Sequence, residues 1–167
     1  MGRRRFVAKH FQESQRPWLN NGGDYIHIFD TREKKNEHIK AYFDRHEIAY
    51  REEPLKVGDY MIDGGKVTVD RKGSIEEISG NLTNPTDKQR FMREVRRSRQ
   101  LGLRLVVLVE TNKYKTVKDL AAWKSKYTPV RGTVLIREME RLRYAYGVEF
   151  RFCPKMSAAR KIIEILE

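Results

Sequence analysis

Asp59 is followed, eleven residues on, by Asp70-Arg71-Lys72: an acid, a spacer, then acid-x-lysine. A metal-dependent phosphodiesterase needs these parts. Two carboxylates can hold a hard cation such as Mg²⁺, which takes oxygen ligands in octahedral geometry. Such a cation polarises a phosphoryl oxygen and lowers the pKa of a bound water, and a neighbouring lysine can orient that water or offset developing charge. Acid-x-lysine alone is a common pattern, and its setting is what sharpens it. Residues 57–72 read VGDYMIDGGKVTVDRK, two strands about the turn signal Asp63-Gly64-Gly65. A hairpin with Gly64 and Gly65 as the loop residues pairs Asp63 with Lys66, Ile62 with Val67 and Asp59 with Asp70. Opposed residues share a face, with Cβ atoms roughly 4.5–5.5 Å apart. Lys72 joins the two acids on that face, while Tyr60, Ile62, Val67 and Val69 take the other, which is the one expected to pack. Like charges set opposite each other destabilise a hairpin, and a divalent cation relieves this.

The elements around this hairpin follow from periodicity and turn residues. Residues 25–29 form a strand ending at Asp30, and residues 34–47 carry Ile39, Tyr42, Phe43 and His46 at helical spacing. A short strand over 48–53 leads through Pro54 into the hairpin. Glu76 and Glu77 begin a helical turn. Asn84-Pro85-Thr86-Asp87 opens a helix that runs to about Leu101 and ends at Gly102. The unbroken apolar run 105–109 marks a strand buried on both faces. Helices over 117–127 and 133–146, a strand over 148–152 and a last helix capped by Ser157 complete the order. One mixed sheet with helices on both sides is the economical α/β architecture. Residues 1–24 read as a basic arm and linker, with Arg3-Arg4-Arg5 at its start and a break at Pro17 and Asn20-Asn21-Gly22-Gly23; residues 25–167 read as one domain.

Charge narrows the partners. Lys and Arg number 35 against 23 Asp and Glu, a formal net charge of +12, which favours a polyanion, with nucleic acid ahead of an anionic membrane surface. No apolar run reaches the roughly 20 residues that span a bilayer, and no signal-peptide pattern is visible. The single cysteine, Cys153, excludes an intramolecular disulfide and a cysteine-based zinc site, and reads as a buried thiol. His10, His27, His38 and His46 show no ligand spacing. An intracellular, soluble protein is expected.

Several motifs in order carry a family resemblance. Asp30-Thr31-Arg32-Glu33 after the first strand, Gly58-Asp59-Tyr60, and Asp70-Arg71-Lys72 followed by Glu76 resemble the nuclease domain of the XPF-type structure-specific endonucleases, within the PD-(D/E)XK superfamily. That family's signature is glycine-aspartate, a spacer, glutamate-arginine-lysine, three residues, then aspartate. The similarity continues through Arg90-Phe91 and Glu94 to the strand ending at Glu110, and more weakly beyond it. The resemblance implies a restriction-endonuclease-like fold, a mixed central sheet flanked by helices. It also implies Mg²⁺- or Mn²⁺-dependent cleavage of DNA near a branch or junction, in repair or recombination.

Carried over by position, Asp59 and Asp70 become metal ligands and Lys72 the catalytic lysine. Asp30 and Glu33 become supporting acids, with Asp30 also at the metal, and Glu76 becomes the motif's final acid. The family also pairs its nuclease domains, so a second copy or a partner subunit is implied. Three departures stand out: Asp70 in place of glutamate, Glu76 in place of aspartate and Glu94 in place of glutamine. No segment resembles the family's tandem helix–hairpin–helix domain, so substrate preference is less defined than chemistry. A resolvase of four-way junctions, a single-strand nuclease, and a silent DNA-binding module of the same fold are the alternatives.

Other readings of these residues stay open. Asp30 and Glu33 also suit the first turn of the following helix. Arg71 fits either a phosphate contact or a structural ion pair, and Glu76 either the motif acid or a solvated one. Lys88, Arg90, Arg93, Arg96, Arg97 and Arg99 crowd one helix against Asp87 and Glu94, as a phosphate-tracking surface or as solvated charge. In the arm, Phe6, Phe11 and Trp18 suit stacking on unpaired bases, or packing on the domain or on a second subunit.

Overall fold

The computed structural model describes residues 25–167; the N-terminal arm lies outside the described residues. Six strands form one sheet in the order β2-β1-β3-β4-β5-β6: β1 His27–Phe29, β2 Tyr50–Glu52, β3 Tyr60–Ile62, β4 Val67–Lys72, β5 Arg104–Glu110 and β6 Glu149–Cys153. β1 runs parallel to β2 and antiparallel to β3, β3 runs antiparallel to β4, and β4, β5 and β6 are parallel. The helices are α1 Glu37–Arg45, α2 Ile75–Thr83, α3 Pro85–Gln100, α4 Gly132–Tyr146 and α5 Ala158–Leu166. The mixed sheet with helices on both faces is the architecture expected.

Two cores sandwich the sheet. Leu105, Val107 and Val109 of β5 pack under α2, α3 and α4 through Ile78, Leu82, Phe91, Val95, Leu135 and Leu142. Leu108 and Val69 face the other way, toward Ile39 and Phe43 of α1 and Ile162 and Ile163 of α5. That alternation explains the unbroken apolar run in β5, since residues pointing to opposite faces both meet helices. Fully burying each of these side chains contributes about 1.5–3 kcal/mol. The hairpin was expected to pack on one face; instead both faces of β4 are covered, and Thr68, Val69, Asp70 and Arg71 are all buried.

Three local expectations change. The hairpin register is as expected, with Tyr60 opposite Val69 and Met61 opposite Thr68, but the Gly65 N–H donates to the Ile62 carbonyl. The turn is therefore centred on Asp63-Gly64 and not on Gly64-Gly65. In place of a helix over 117–127 there is a short 3-10 helix, Val117–Ala122, opened by a capping box between Thr116 and Asp119 and ended where Trp123 turns extended. Ser157 makes no capping hydrogen bond; it ends a 3-10 turn, Lys155–Ser157, that leads directly into α5. Cys153 is buried, and burial foremost pushes its thiol up to about 11. Among the described residues, no helix is long and apolar enough to cross a membrane.

Candidate active site

The site forms where β3 begins and β4 ends. Gly58 has φ +73°, and a Cβ there would stand 2.1 Å from Thr68 Oγ1, so only glycine fits this close approach. Thr68 Oγ1 in turn donates to the Val57 carbonyl at 2.8 Å, and the Gly58 N–H donates to Glu94 Oε1 at 2.7 Å. Glycine before aspartate thus has a steric cause: it lets the chain fold over β4 and present Asp59.

Asp59 does not simply extend the ladder opposite Asp70. Its N–H donates to the Val69 carbonyl at 2.7 Å, and its Oδ2 accepts the Arg71 N–H at 2.7 Å, so it brackets Asp70 from both sides. Burial, then the charges of Asp70 and Glu33, raise the Asp59 pKa well above its ordinary value; the Arg71 N–H and Lys72 oppose the rise. Asp70 is buried, and its Oδ2 carries no hydrogen bond but lies 3.0 Å from Lys72 Nζ. Burial works against the charge on Lys72, and the carboxylates of Asp70 and Asp59 outweigh it, raising its pKa. The ammonium also lies 5.6 Å from the centroid of the Phe91 ring, a cation–π contact. Glu94 completes the group. Burial, then Asp70, raise its pKa, while the Gly58 N–H, Lys72 and Arg32 oppose.

The other expected site residues divide. Glu33 acts on Asp59 through its charge, but its Oε1 accepts from the Lys35 N–H at 2.9 Å and from Arg71 Nη2 at 3.1 Å. Asp30, expected at the metal, has its buried carboxylate committed elsewhere: Arg32 Nε lies 2.9 Å from Oδ2 and the Leu55 N–H 3.1 Å from Oδ1. It braces the loop leading to Gly58, and its own N–H donates to the Asp59 carbonyl. Neither acid caps α1, whose N-cap is Asn36.

Arg71 is not a surface cation. Its side chain is 5% exposed and held by Glu33 at 3.1 Å, Glu110 at 3.2 Å and the Lys35 carbonyl at 2.7 Å. Of its two readings the geometry supports the ion pair. Glu76 is half-buried and engaged away from Asp59 and Asp70: its oxygens accept from Ser125 Oγ and the Lys126 N–H, each at 2.8 Å.

The cations of α3 also separate. Arg90 and Arg97 stand one turn either side of Glu94 and are exposed, as are Arg93 and Arg96. Arg90 pairs with Asp87 at 2.6 Å, and Arg97 donates to the Lys56 carbonyl at 3.3 Å. Lys88 and Arg99 point instead to α4, to Glu138 at 3.0 Å and to the Ala145 carbonyl at 2.7 Å. Exposed pairs of this kind are worth about 0–1 kcal/mol and yield readily to a phosphate.

Sequence reasoning gave no role to Glu110 or His38. Glu110 Oε1 lies 2.6 Å from His38 Nε2 and 3.2 Å from Arg71 Nη1. A lone acid ending a doubly buried strand was the available signal for Glu110. His38 carried none, because its partner is 72 residues away.

A family model for the ERCC4 domain matches residues 29–164. The chain belongs to the ERCC4-domain family. No curated protein sequence matches it. Among solved structures, XPF from Aeropyrum pernix superposes with a TM-score of 0.65 at 17% identity, over 84% of this chain and 63% of that one. The chain therefore spans under two thirds of that structure, and at this identity the likeness concerns the fold, that of an XPF-type nuclease domain. Within this ERCC4 domain the match takes in Asp59, Asp70, Lys72 and Glu94, and it continues past Glu110 through α4, β6 and most of α5.

Among the described residues no three His, Cys, Asp or Glu side chains group as a ligand set. A pair is enough for Mg²⁺, which keeps several waters and takes one or two carboxylates together with substrate oxygens. The donor chemistry fits: Asp59 lies close enough to Asp70 to feel its charge, and Asp70 Oδ2 is buried with the Lys72 ammonium at 3.0 Å.

This strain has a measurable sign. With its pKa raised by folding, Asp59 contributes stability below its ordinary 3.8, and that stability is lost as pH climbs through the raised value. In EDTA, the melting temperature should fall from about pH 4 toward neutrality on this account. Asp59→Asn, whose amide oxygen still accepts the Arg71 N–H, should flatten the fall and be more stable at neutral pH. Mg²⁺ should then raise the melting temperature of the wild type and not of the variant. A variant less stable than wild type at pH 7 in EDTA would contradict the assignment.

Proposed function

We propose that this domain is a metal-dependent endonuclease that hydrolyses phosphodiester bonds in DNA, at branched, flap or junction structures. The observation that supports this reading is the Asp59–Asp70 pair with Lys72 held on Asp70, at the mouth of the fold where the Gly58 turn crosses β4. Bound by Asp59 and Asp70, Mg²⁺ or Mn²⁺ would polarise a phosphoryl oxygen and lower the pKa of a water.

The chain's own residues do the rest. Lys72, kept charged by the two acids, orients the attacking water or offsets charge on the phosphoryl oxygens. The Phe91 ring lies against the ammonium and adds a cation–π contact. Glu94 fixes Gly58 and hence the approach of Asp59. Arg90 and Arg97 beside Glu94, and Arg93 and Arg96 further round α3, present exposed charge for the DNA backbone, so binding should weaken steeply with salt and read shape more than sequence. Pairing with a second copy or a partner subunit belongs to the same reading, as does the basic N-terminal arm.

Labelled splayed-arm, flap, four-way-junction and linear DNA, incubated with the chain in Mg²⁺, Mn²⁺ or EDTA, test the proposal. Metal-dependent cutting that favours splayed or flap substrates is the expected result. Preference for four-way junctions or for single strands would select the resolvase or single-strand nuclease. Tight binding with no cutting in either metal would leave a DNA-binding module.

A further inference from the structure

Glu76 ties the first turn of α2 to a loop some fifty residues further along the chain. Ser125 Oγ donates to one of its oxygens and the Lys126 N–H to the other. Ser125 Oγ accepts in turn from the N–H groups of Tyr127 and Thr128, each at 3.1 Å, and the Ser125 N–H donates to the Val130 carbonyl. Lys124 and Arg131 close the base of the loop as an antiparallel bridge. Below them a Cβ on Gly132 would fall 1.5 Å from the Leu120 carbonyl oxygen, so the loop is seated directly against the preceding 3-10 helix. The segment is therefore a braced turn.

What it presents is unusual for a braced turn. Tyr127 is 82% exposed at its tip, a large aromatic with nothing packed on it. Lys124, Lys126 and Arg131 are exposed around it, and among the described residues no carboxylate lies within ion-pair distance of any of them. The loop follows β5, and β5 runs parallel to β4, so both leave the sheet at the edge where Asp70 and Lys72 stand. Glu76 is only four residues beyond Lys72. An aromatic face ringed by unpaired cations, fixed beside a phosphodiester-cleaving centre, matches how proteins hold unpaired nucleotides: rings stack on bases and cations follow phosphates.

We infer that the loop over 124–131 is a contact site for an unpaired DNA strand, with Tyr127 stacking on a base and Lys124, Lys126 and Arg131 meeting its phosphates. Glu76 is a positioning residue for this loop. The inference rests on the DNA-cleaving reading and adds what that site takes: a substrate with a single-stranded arm passing over the start of α2.

The test is binding in EDTA, read by fluorescence anisotropy with a labelled single-stranded oligonucleotide, a splayed-arm duplex and a blunt duplex. Tyr127→Ala should weaken binding of the first two by about tenfold and leave the blunt duplex unchanged. Tyr127→Trp should retain binding. Glu76→Ala should reproduce the loss on the strand-bearing probes, and Glu76→Gln, whose amide oxygen can still accept, should recover part of it. If Tyr127→Ala binds all three probes like wild type, or loses the blunt duplex equally, the strand site is wrong while the nuclease reading stands. If the wild-type chain binds none of the probes, both fall.

Discussion

Asp70→Ala should abolish metal-dependent cutting, by on the order of a hundredfold at the least, while DNA binding is kept or tightened. Even residues that only support metal ligands cost about 10–100-fold when removed, and Asp70 is assigned as a ligand. Its buried Oδ2 is held by the ion pair with Lys72 at 3.0 Å, and its charge bears on Asp59 and Glu94. Removing it takes one negative charge from the phosphate path and leaves the Lys72 ammonium without its ion-pair partner. The change relieves Asp59 of the Asp70 charge and costs Lys72 its 3.0 Å partner, while Asp59 and Glu77 still favour the ammonium. Single-turnover cleavage and anisotropy, measured on one protein preparation, check both halves. Loss of binding alongside cutting, with the melting temperature unchanged, would mean that Asp70 orders the DNA-binding surface and is not primarily a ligand.

Arg71→Ala should be the most destabilising single change near the site. Burial opposes the charge on Arg71, and Glu33, Tyr60 and Glu110 outweigh it, so its pKa is raised. Deleting the guanidinium leaves Glu33 and Glu110 facing each other across a nearly dry gap, with side chains 12% and 5% exposed. Breaking a buried pair in this way costs about 3–5 kcal/mol, and a chain of this length should melt roughly 10 °C lower. Urea denaturation followed by circular dichroism gives the free energy directly. Arg71→Lys should recover only part, since one ammonium cannot reach both acids and the Lys35 carbonyl in the same fork. A variant of wild-type stability that has lost DNA affinity would return Arg71 to the role of phosphate contact.

The two experiments also divide two polar systems that lie back to back through β4. Asp70 and Lys72 side chains point to the face covered by α2 and α3, where chemistry is proposed. Arg71 points to the other face, under α1, where it joins Glu33, Glu110 and His38. Alternation along one strand places the proposed catalytic group and its structural counterweight at consecutive positions. This also explains why neighbouring letters of one motif should respond so differently to mutation.

What the sequence by itself determined is mostly local. The register of the hairpin follows from its alternation, although its turn is centred one residue earlier than expected, and that register sets Asp70 and Lys72 on one face with Asp59 close by. The doubly buried β5 was legible because five consecutive apolar residues allow little else. Limits of α3 and α4 were readable from spacing and capping residues, with Asn84 accepting from the Thr86 and Asp87 N–H groups as its position suggests, whereas α1 is Glu37–Arg45 and shorter than the expected 34–47. Where local signals competed, reading failed: the stretch after Thr116 has helical composition and a capping box at its start, yet it ends as a short 3-10 helix where Trp123 turns extended.

Only the tertiary structure decided what each polar side chain does. Asp30 and Glu33 occupy neighbouring motif positions, yet the first braces the Leu55 loop and the second pairs with Arg71 and bears on Asp59. Glu76 looked like the end of an acidic motif, and its partners are fifty residues away in the braced loop. Glu94 reaches Gly58, and His38 reaches Glu110, across 36 and 72 residues. Such contacts leave no periodic trace, because spacing along a chain records only which face a residue shares with its near neighbours. Which carboxylate meets a cation, a backbone N–H or another carboxylate is set when distant elements pack. That packing raises the Asp59 pKa by burial and by Asp70, and makes the pair a fit place for a metal ion.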